Sequence, residues 1–164
     1  MVVNQRMKNR VQLPGLVVPG HGVASGACND PRFPEGTIAL QKPEFRRRGL
    51  DLDRFYSGTI NLSIAPLLFR ITRASYHFHA LRWSDIAAAE DFSFLECSVL
   101  RHGEARLEGL VYYPHPETKP EHFQAPDVLE ILTLPIPKLA YGDRLMLELD
   151  PAQIELIYPG KYTA

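Results

Sequence analysis

From residue 58 onward the chain is a succession of short apolar runs broken by turn residues, and this pattern restricts the fold more than any other feature. Residues 58–62, 67–71, 94–100, 107–113, 128–132, 145–149 and 154–158 are alternating or apolar and bounded by Gly, Pro, Asp or Asn. Runs of that length read as strands rather than helices. Residues 13–18 form an earlier run of the same kind, and His77-Phe78-His79 belongs to another. Arg101-His102-Gly103-Glu104 predicts a hairpin turn, with Gly103 free to take a positive φ. So many strands with so little helical periodicity point to an all-β fold closed, or nearly closed, into a barrel, because closure removes the exposed sheet edges. One or two short helices complete the expectation. The clearest is residues 41–49, where Pro43 sits early, at little cost in hydrogen bonding, and Gly49 ends the run.

With 164 residues the chain is long enough for one domain with a real core. We expect a flexible, basic tail over residues 1–10 and a single domain over 11–160. A hydrophobic content of 45% and a charged content of 23% are those of a soluble globular protein. No apolar run reaches the roughly 20 residues that cross a bilayer, and the first residues do not read as a signal peptide, so a cytoplasmic protein with no membrane partner is expected. A net charge of -1 argues against a nucleic-acid partner held by many phosphate contacts. Arg46-Arg47-Arg48 reads as a solvated helix face or a small anion contact. Cys28 and Cys97 are too few and too far apart for a metal knuckle, and both are expected to be reduced.

Two segments carry chemistry. In Gly58-Thr59-Ile60-Asn61-Leu62, Thr59 and Asn61 project to one side of a strand while Ile60 and Leu62 project to the other. Two neutral oxygen donors side by side suit Mg²⁺, which takes a few protein oxygens and shares its other positions with water and phosphate. Upstream, Gly20-His21-Gly22-Val23-Ala24-Ser25-Gly26 is a glycine-rich loop. It is either a wide turn or a phosphate cradle whose backbone N–H groups approach an anion closely. It is neither a P-loop nor a dinucleotide fingerprint. Glu130 stands mid-strand in an apolar run, where an unpaired carboxylate is costly, so a ligand group or an arginine must meet it. His77 and His79 share a strand face with the spacing of a His-x-His metal pair, Asp85 and Glu90 being the nearest carboxylates in sequence. Trp83, Tyr112 and Tyr113 either stack on a heterocycle or fill core.

The order of these segments carries a family likeness. The glycine loop, a helix ending at Gly49, Gly58-Thr59-Ile60-Asn61, Asp91-Phe92, Gly109-Leu110-Val111-Tyr112-Tyr113-Pro114, Asp127-Val128-Leu129-Glu130-Ile131-Leu132 and Tyr141-Gly142-Asp143 follow one another as in the archaeal-type CTP-dependent riboflavin kinases, which the chain resembles over about residues 15–150. The resemblance implies a closed six-stranded cradle-loop barrel that phosphorylates riboflavin to FMN. It implies that Gly20, His21, Gly22, Val23, Ala24 and Ser25 wrap the nucleotide and that Thr59 and Asn61 hold Mg²⁺. It further implies that Glu130, with Thr118 upstream, faces the flavin, Glu130 being the one plausible catalytic carboxylate. After Glu130 the chain departs from that pattern. Residues 133–143 are shorter, and Pro135 and Pro137 cannot continue a helix, so Lys138 is left as the nearby cation for the nucleotide. Two alternatives stand beside the kinase: a flavin- or nucleotide-binding barrel without turnover, and a metal-dependent barrel enzyme built on His77 and His79.

Overall fold

The computed structural model describes residues 9–22, 27, 30–119, 121 and 124–160. Among them are nine strands and one α-helix, in the order β1 (Val11–Val18), α1 (Thr37–Arg47), β2 (Ile60–Ser63), β3 (Leu68–Ile71), β4 (Tyr76–Leu81), β5 (Glu90–Leu100), β6 (Leu107–Pro114), β7 (Val128–Thr133), β8 (Arg144–Leu149) and β9 (Ile154–Ile157). Strands β5, β6, β7, β2, β1 and β8 pair in that order, every pair antiparallel, and β8 returns to β5 through Cys97↔Leu149 and Leu100↔Met146. The result is a closed six-stranded antiparallel barrel. Strand β5 is long enough to serve two partners on one edge. Its last residues close the barrel against β8, and its first residues, Glu90 to Phe94, carry β4. The expected hairpin joins β5 to β6, with the Glu104 N–H donating to Arg101 O.

Alternation along each strand separates two cores. Leu13 and Val17 of β1, Leu62 of β2, Leu95, Cys97 and Val99 of β5, Val111 of β6, Leu129 and Ile131 of β7, and Leu145, Leu147 and Leu149 of β8 form one cluster inside the barrel. All are aliphatic or thiol. Phe69, Ile71 and Leu156 of the β3–β9 ribbon pack against the same cluster. The alternate residues of β5, β6 and β7, namely Phe92, Phe94, Leu110, Tyr112 and Leu132, face outward into a second cluster. Helix α1 covers it. Ile38 and Phe45 are fully buried there, and Phe45 meets Phe92 and Phe94 edge-on with ring centroids 5.2 and 5.0 Å apart.

The helix begins four residues earlier than its sequence suggests, so Pro43 lies inside it rather than in its first turn. An internal proline forfeits one backbone hydrogen bond. Here the ring lies on the exposed face, and the apolar contacts of Ile38 and Phe45 extend the helix through it. The end is as expected. Gly49 takes φ 96°, the Leu50 N–H donates to Phe45 O and the Gly49 N–H to Arg46 O, which is the pair of bonds a left-handed glycine makes possible. Arg46 and Arg47 lie in the last turn, where their charge complements the helix dipole. Of the residues expected as a tail, 1–8 fall outside the described residues. Arg10 leans on the barrel, with Nη1 3.4 Å from both Ser98 Oγ and Glu148 O. No helix among the described residues is long and apolar enough to cross a membrane.

Candidate functional site

A transverse row of partnered residues crosses the outer face of the barrel wall: Val18 opposite Asn61, Asn61 opposite Glu130, Glu130 opposite Tyr112, Tyr112 opposite Phe94, and Phe94 opposite Tyr76. Going along it, chemistry changes from polar at β2 and β7 to aromatic at β5 and β4. Helix α1 and the connecting segments roof this row and leave a cavity of about 890 Å³ between roof and wall. That is toward the upper end of the range for small-molecule sites.

Thr59 and Asn61 both line the cavity, together with Gly20, His21, Gly22, Gln124 and Glu130. The Thr59 hydroxyl donates to Glu130 Oε1 at 3.1 Å, and Gln124 Nε2 donates to Asn61 Oδ1 at 2.8 Å. Gly20 packs directly on Asn61: a Cβ at that position would lie 2.3 Å from Asn61 Nδ2. Only glycine lets the loop cross there without displacing the amide. Glu130 is 8% exposed, and burial pushes its carboxyl above the usual range, opposed by Lys119, by hydrogen bonds from Thr59 and Gln124, and by His21. The polar groups that meet Glu130 are thus the Thr59 hydroxyl and the Gln124 amide rather than an arginine. A smaller cavity of about 170 Å³, walled by Phe69, Tyr113 and Pro126, lies against Glu130, Lys119 and Gln124, which line both spaces.

The donor set fits Mg²⁺ in kind. Thr59 Oγ1 keeps an acceptor lone pair while its proton is given to Glu130, and Asn61 Oδ1 keeps a second lone pair while it accepts from Gln124. Both are hard neutral oxygens beside a carboxyl.

Other residues singled out in the sequence fall elsewhere. Val23, Ala24 and Ser25, like Cys28, lie outside the described residues. Thr118 is used as a turn lock, accepting from the Asp91 N–H at 2.9 Å and donating to His115 O at 3.1 Å; its neighbour Lys119 lines the cavity instead. Lys138 is exposed with φ 57° and does not line the cavity, although Leu139, Ala140 and Tyr141 do. His77 and His79 project from β4 on the opposite side of the sheet from the cavity. His77 Nδ1 lies 2.9 Å from Ser93 Oγ, which is also 2.7 Å from His115 Nε2, and His79 Nδ1 lies 3.1 Å from Asp91 Oδ1. Among the described residues, no group of three or more His, Cys, Asp or Glu is placed to hold a metal ion. Cys97 is a free thiol inside the barrel, pushed up to about 12 by burial.

The cavity also gathers Thr37 and Gln41 from α1 and Phe33, which local sequence patterns did not mark, and Glu90 at the start of β5, which the sequence suggested only as a carboxylate for the His77 and His79 pair. Glu90 accepts from Trp83 Nε1 at 2.7 Å, and its carboxyl too is raised by burial. The Tyr112 hydroxyl donates to Gln41 Oε1 at 3.0 Å, and burial, with the charges of Glu130 and Glu90, raises its proton affinity. Trp83 and Tyr112 carried a sequence signal, as aromatic residues able to stack. No protein-family model matches the chain, and no curated protein matches it at a significant level.

Proposed function

We propose that the cavity is the active site of a magnesium-dependent small-molecule kinase that transfers the terminal phosphoryl group of a nucleoside triphosphate, CTP by the family resemblance, to the primary hydroxyl of riboflavin. The observation that carries this reading is the convergence of Thr59, Asn61 and Glu130 in one cavity directly beneath Gly20. Phosphoryl transfer asks a protein chiefly for positioning and for stabilisation of charge, and a hydroxyl and an amide beside a glycine crossing meet that need with little else.

In this reading Gly20 and Gly22 bring backbone close to the polyphosphate, while Lys119 on the cavity wall supplies positive charge toward it. Thr59 and Asn61 would hold Mg²⁺, which when bound would supply positive charge to offset that developing on the transferring phosphoryl group. Glu130 orients the acceptor hydroxyl. The acceptor oxygen forms the new bond to phosphorus, the bond from phosphorus to the bridging oxygen breaks, and the nucleoside diphosphate departs with that electron pair. The hydroxyl proton passes to the Glu130 carboxylate, whose basicity is increased by burial.

The test is direct. Protein incubated with riboflavin, Mg²⁺ and CTP or ATP should yield FMN on a chromatogram, and Asn61→Ala should slow its formation on the order of a hundredfold by removing a group that supports the transition state. An unchanged rate in that variant removes the metal assignment. A second reading, a flavin- or nucleotide-binding barrel without turnover, draws support from the fact that Thr59 and Asn61 already have protein partners, so the pocket is internally satisfied without an ion. Quenching of riboflavin fluorescence with no FMN under any nucleotide would select it.

A further inference from the structure

The smaller cavity takes no part in the proposed phosphoryl chemistry, and its position follows from where two strands part. Strand β6 pairs with β7 as far as Tyr112 opposite Glu130. Beyond that pair, Tyr113 and Pro114 stay with β5 at Ser93 and Phe92, while Leu129 and Val128 stay with β2 at Leu62 and Ser63. A gap opens between the two strands. The space of about 170 Å³ is lined by Tyr113 and Pro114 from one side of that gap and by Val128 and Leu129 from the other. Phe69 of β3 adds a further wall, its ring edge-on to Tyr113 with centroids 6.0 Å apart.

These walls ask for little hydrogen bonding. Pro114, Pro116 and Pro126 line the space, and a proline brings no backbone N–H. The Val128 N–H is already given to Ala125 O at 3.0 Å. Four side chains with polar groups, Tyr112, Lys119, Gln124 and Glu130, are shared with the large cavity, and three of them are engaged by residues that line the large one: Tyr112 donates to Gln41, Gln124 donates to Asn61, and Glu130 accepts from Thr59. What is left for an occupant is mainly contact with aromatic, proline and aliphatic surface. Volume then sets its size, because an apolar cavity of about 150 Å³ admits benzene.

We propose that the small cavity is a second ligand pocket, separate from the phosphoryl site, for a compact neutral apolar group the size of one six-membered ring. Two fused rings need more room than it holds, and a charged group would forfeit hydration against walls with few polar partners. A ring seated there lies against Gln124 and Glu130, the side chains that meet Asn61 and Thr59. The pocket stands without the kinase reading.

The test is a titration of the whole chain with fluorobenzene, followed by the fluorine NMR signal of the ligand, beside a parallel titration with 1-fluoronaphthalene. Ala125 lines the cavity and is exposed overall, so Ala125→Leu adds apolar volume to the wall without entering either core. Phe69→Ala enlarges the same space. We expect saturable binding of fluorobenzene by the wild-type chain, weakened on the order of tenfold or more by Ala125→Leu, the scale on which an apolar pocket responds to added methylenes. Phe69→Ala should bind 1-fluoronaphthalene more tightly than wild type does. No binding of fluorobenzene by the folded wild type, or equal binding by wild type and Ala125→Leu, overturns the proposal. Thermal melts establish that both variants are folded. If Ala125→Leu is not, the Phe69→Ala comparison decides, and an unchanged affinity for 1-fluoronaphthalene then counts against the pocket. FMN formation is scored separately. Its absence alongside Ala125-dependent ring binding sinks the kinase and spares the pocket, and its presence with no such binding does the reverse.

Discussion

The two faces of one barrel wall are built to different rules. Inside, the residues that meet are Leu, Ile and Val with a single cysteine, and no charged side chain belongs to that cluster. Outside, under α1, the packing is mostly aromatic and the same surface carries Gln41, Glu90 and Glu130, each under 9% exposed. An interior of aliphatic side chains and one buried thiol gains stability from close packing and offers no charged group to a ligand. The outer face keeps polar groups that burial makes costly, and it keeps them around an open space. The difference teaches that the barrel interior supplies close packing and the roofed outer face keeps the polar groups that a ligand could address.

The largest effect that would sharpen this contrast lies inside. Leu147→Ala removes a side chain with no exposed surface, and we expect a loss of about 2–5 kcal/mol in urea or thermal unfolding. The riboflavin affinity of the fraction that remains folded should stay as it was. A loss of affinity without a loss of stability would mean that the two faces are not separable.

Next comes Gly20→Ala. The added methyl would meet the Asn61 amide at 2.3 to 2.8 Å, so that amide must move from its present place. Because residue 20 is exposed, the melting temperature should hardly move, while FMN formation should fall on the order of tenfold, the expected cost of misplacing one positioned group. Unimpaired turnover would separate Gly20 from the site.

The smallest effect is a change in pH dependence. The folded carboxyl of Glu130 is raised above its ordinary value of 4.5 by burial. Between those two values the folded chain binds more protons at this position than the unfolded chain, so its contribution to stability is full below the ordinary value and is lost as pH rises through the raised one. Glu130→Gln cannot lose it. The melting temperature of the variant should therefore climb relative to wild type as pH rises through that window and then level off. Parallel curves would contradict the burial assigned to the carboxyl.

Much of the barrel was legible because strand alternation is a local signal: Leu129 and Ile131 point inward and Glu130 and Leu132 outward by the period of the strand alone. The Gly49 stop was equally local. The start of α1 was not, since Pro43 reads as a first-turn residue until the buried contacts of Ile38 are known. Within the cavity, strand period put Thr59 and Asn61 on one face and the apolar run marked Glu130 as a costly carboxylate, but their meeting depends on the β2–β7 register, which is not a local signal. Gln41 joins the same cavity only when the helix folds over β5. Thr118 and Lys138 show the converse limit. Each lies within three residues of a cavity-lining position, and the local turn aims a neighbour there instead.

The central claim is that ligand chemistry resides on the roofed outer face between β2, β7 and α1. Backbone hydrogen exchange, measured with and without riboflavin, Mg²⁺ and CTP, tests it most directly. We predict new protection at residues 17–22, 37–41, 58–61 and 130, with the β5–β8 closure and the His77–Ser93–His115 side of the sheet unchanged. Protection concentrated on that opposite side, with residues 17–22 and 58–61 unaffected, would contradict it.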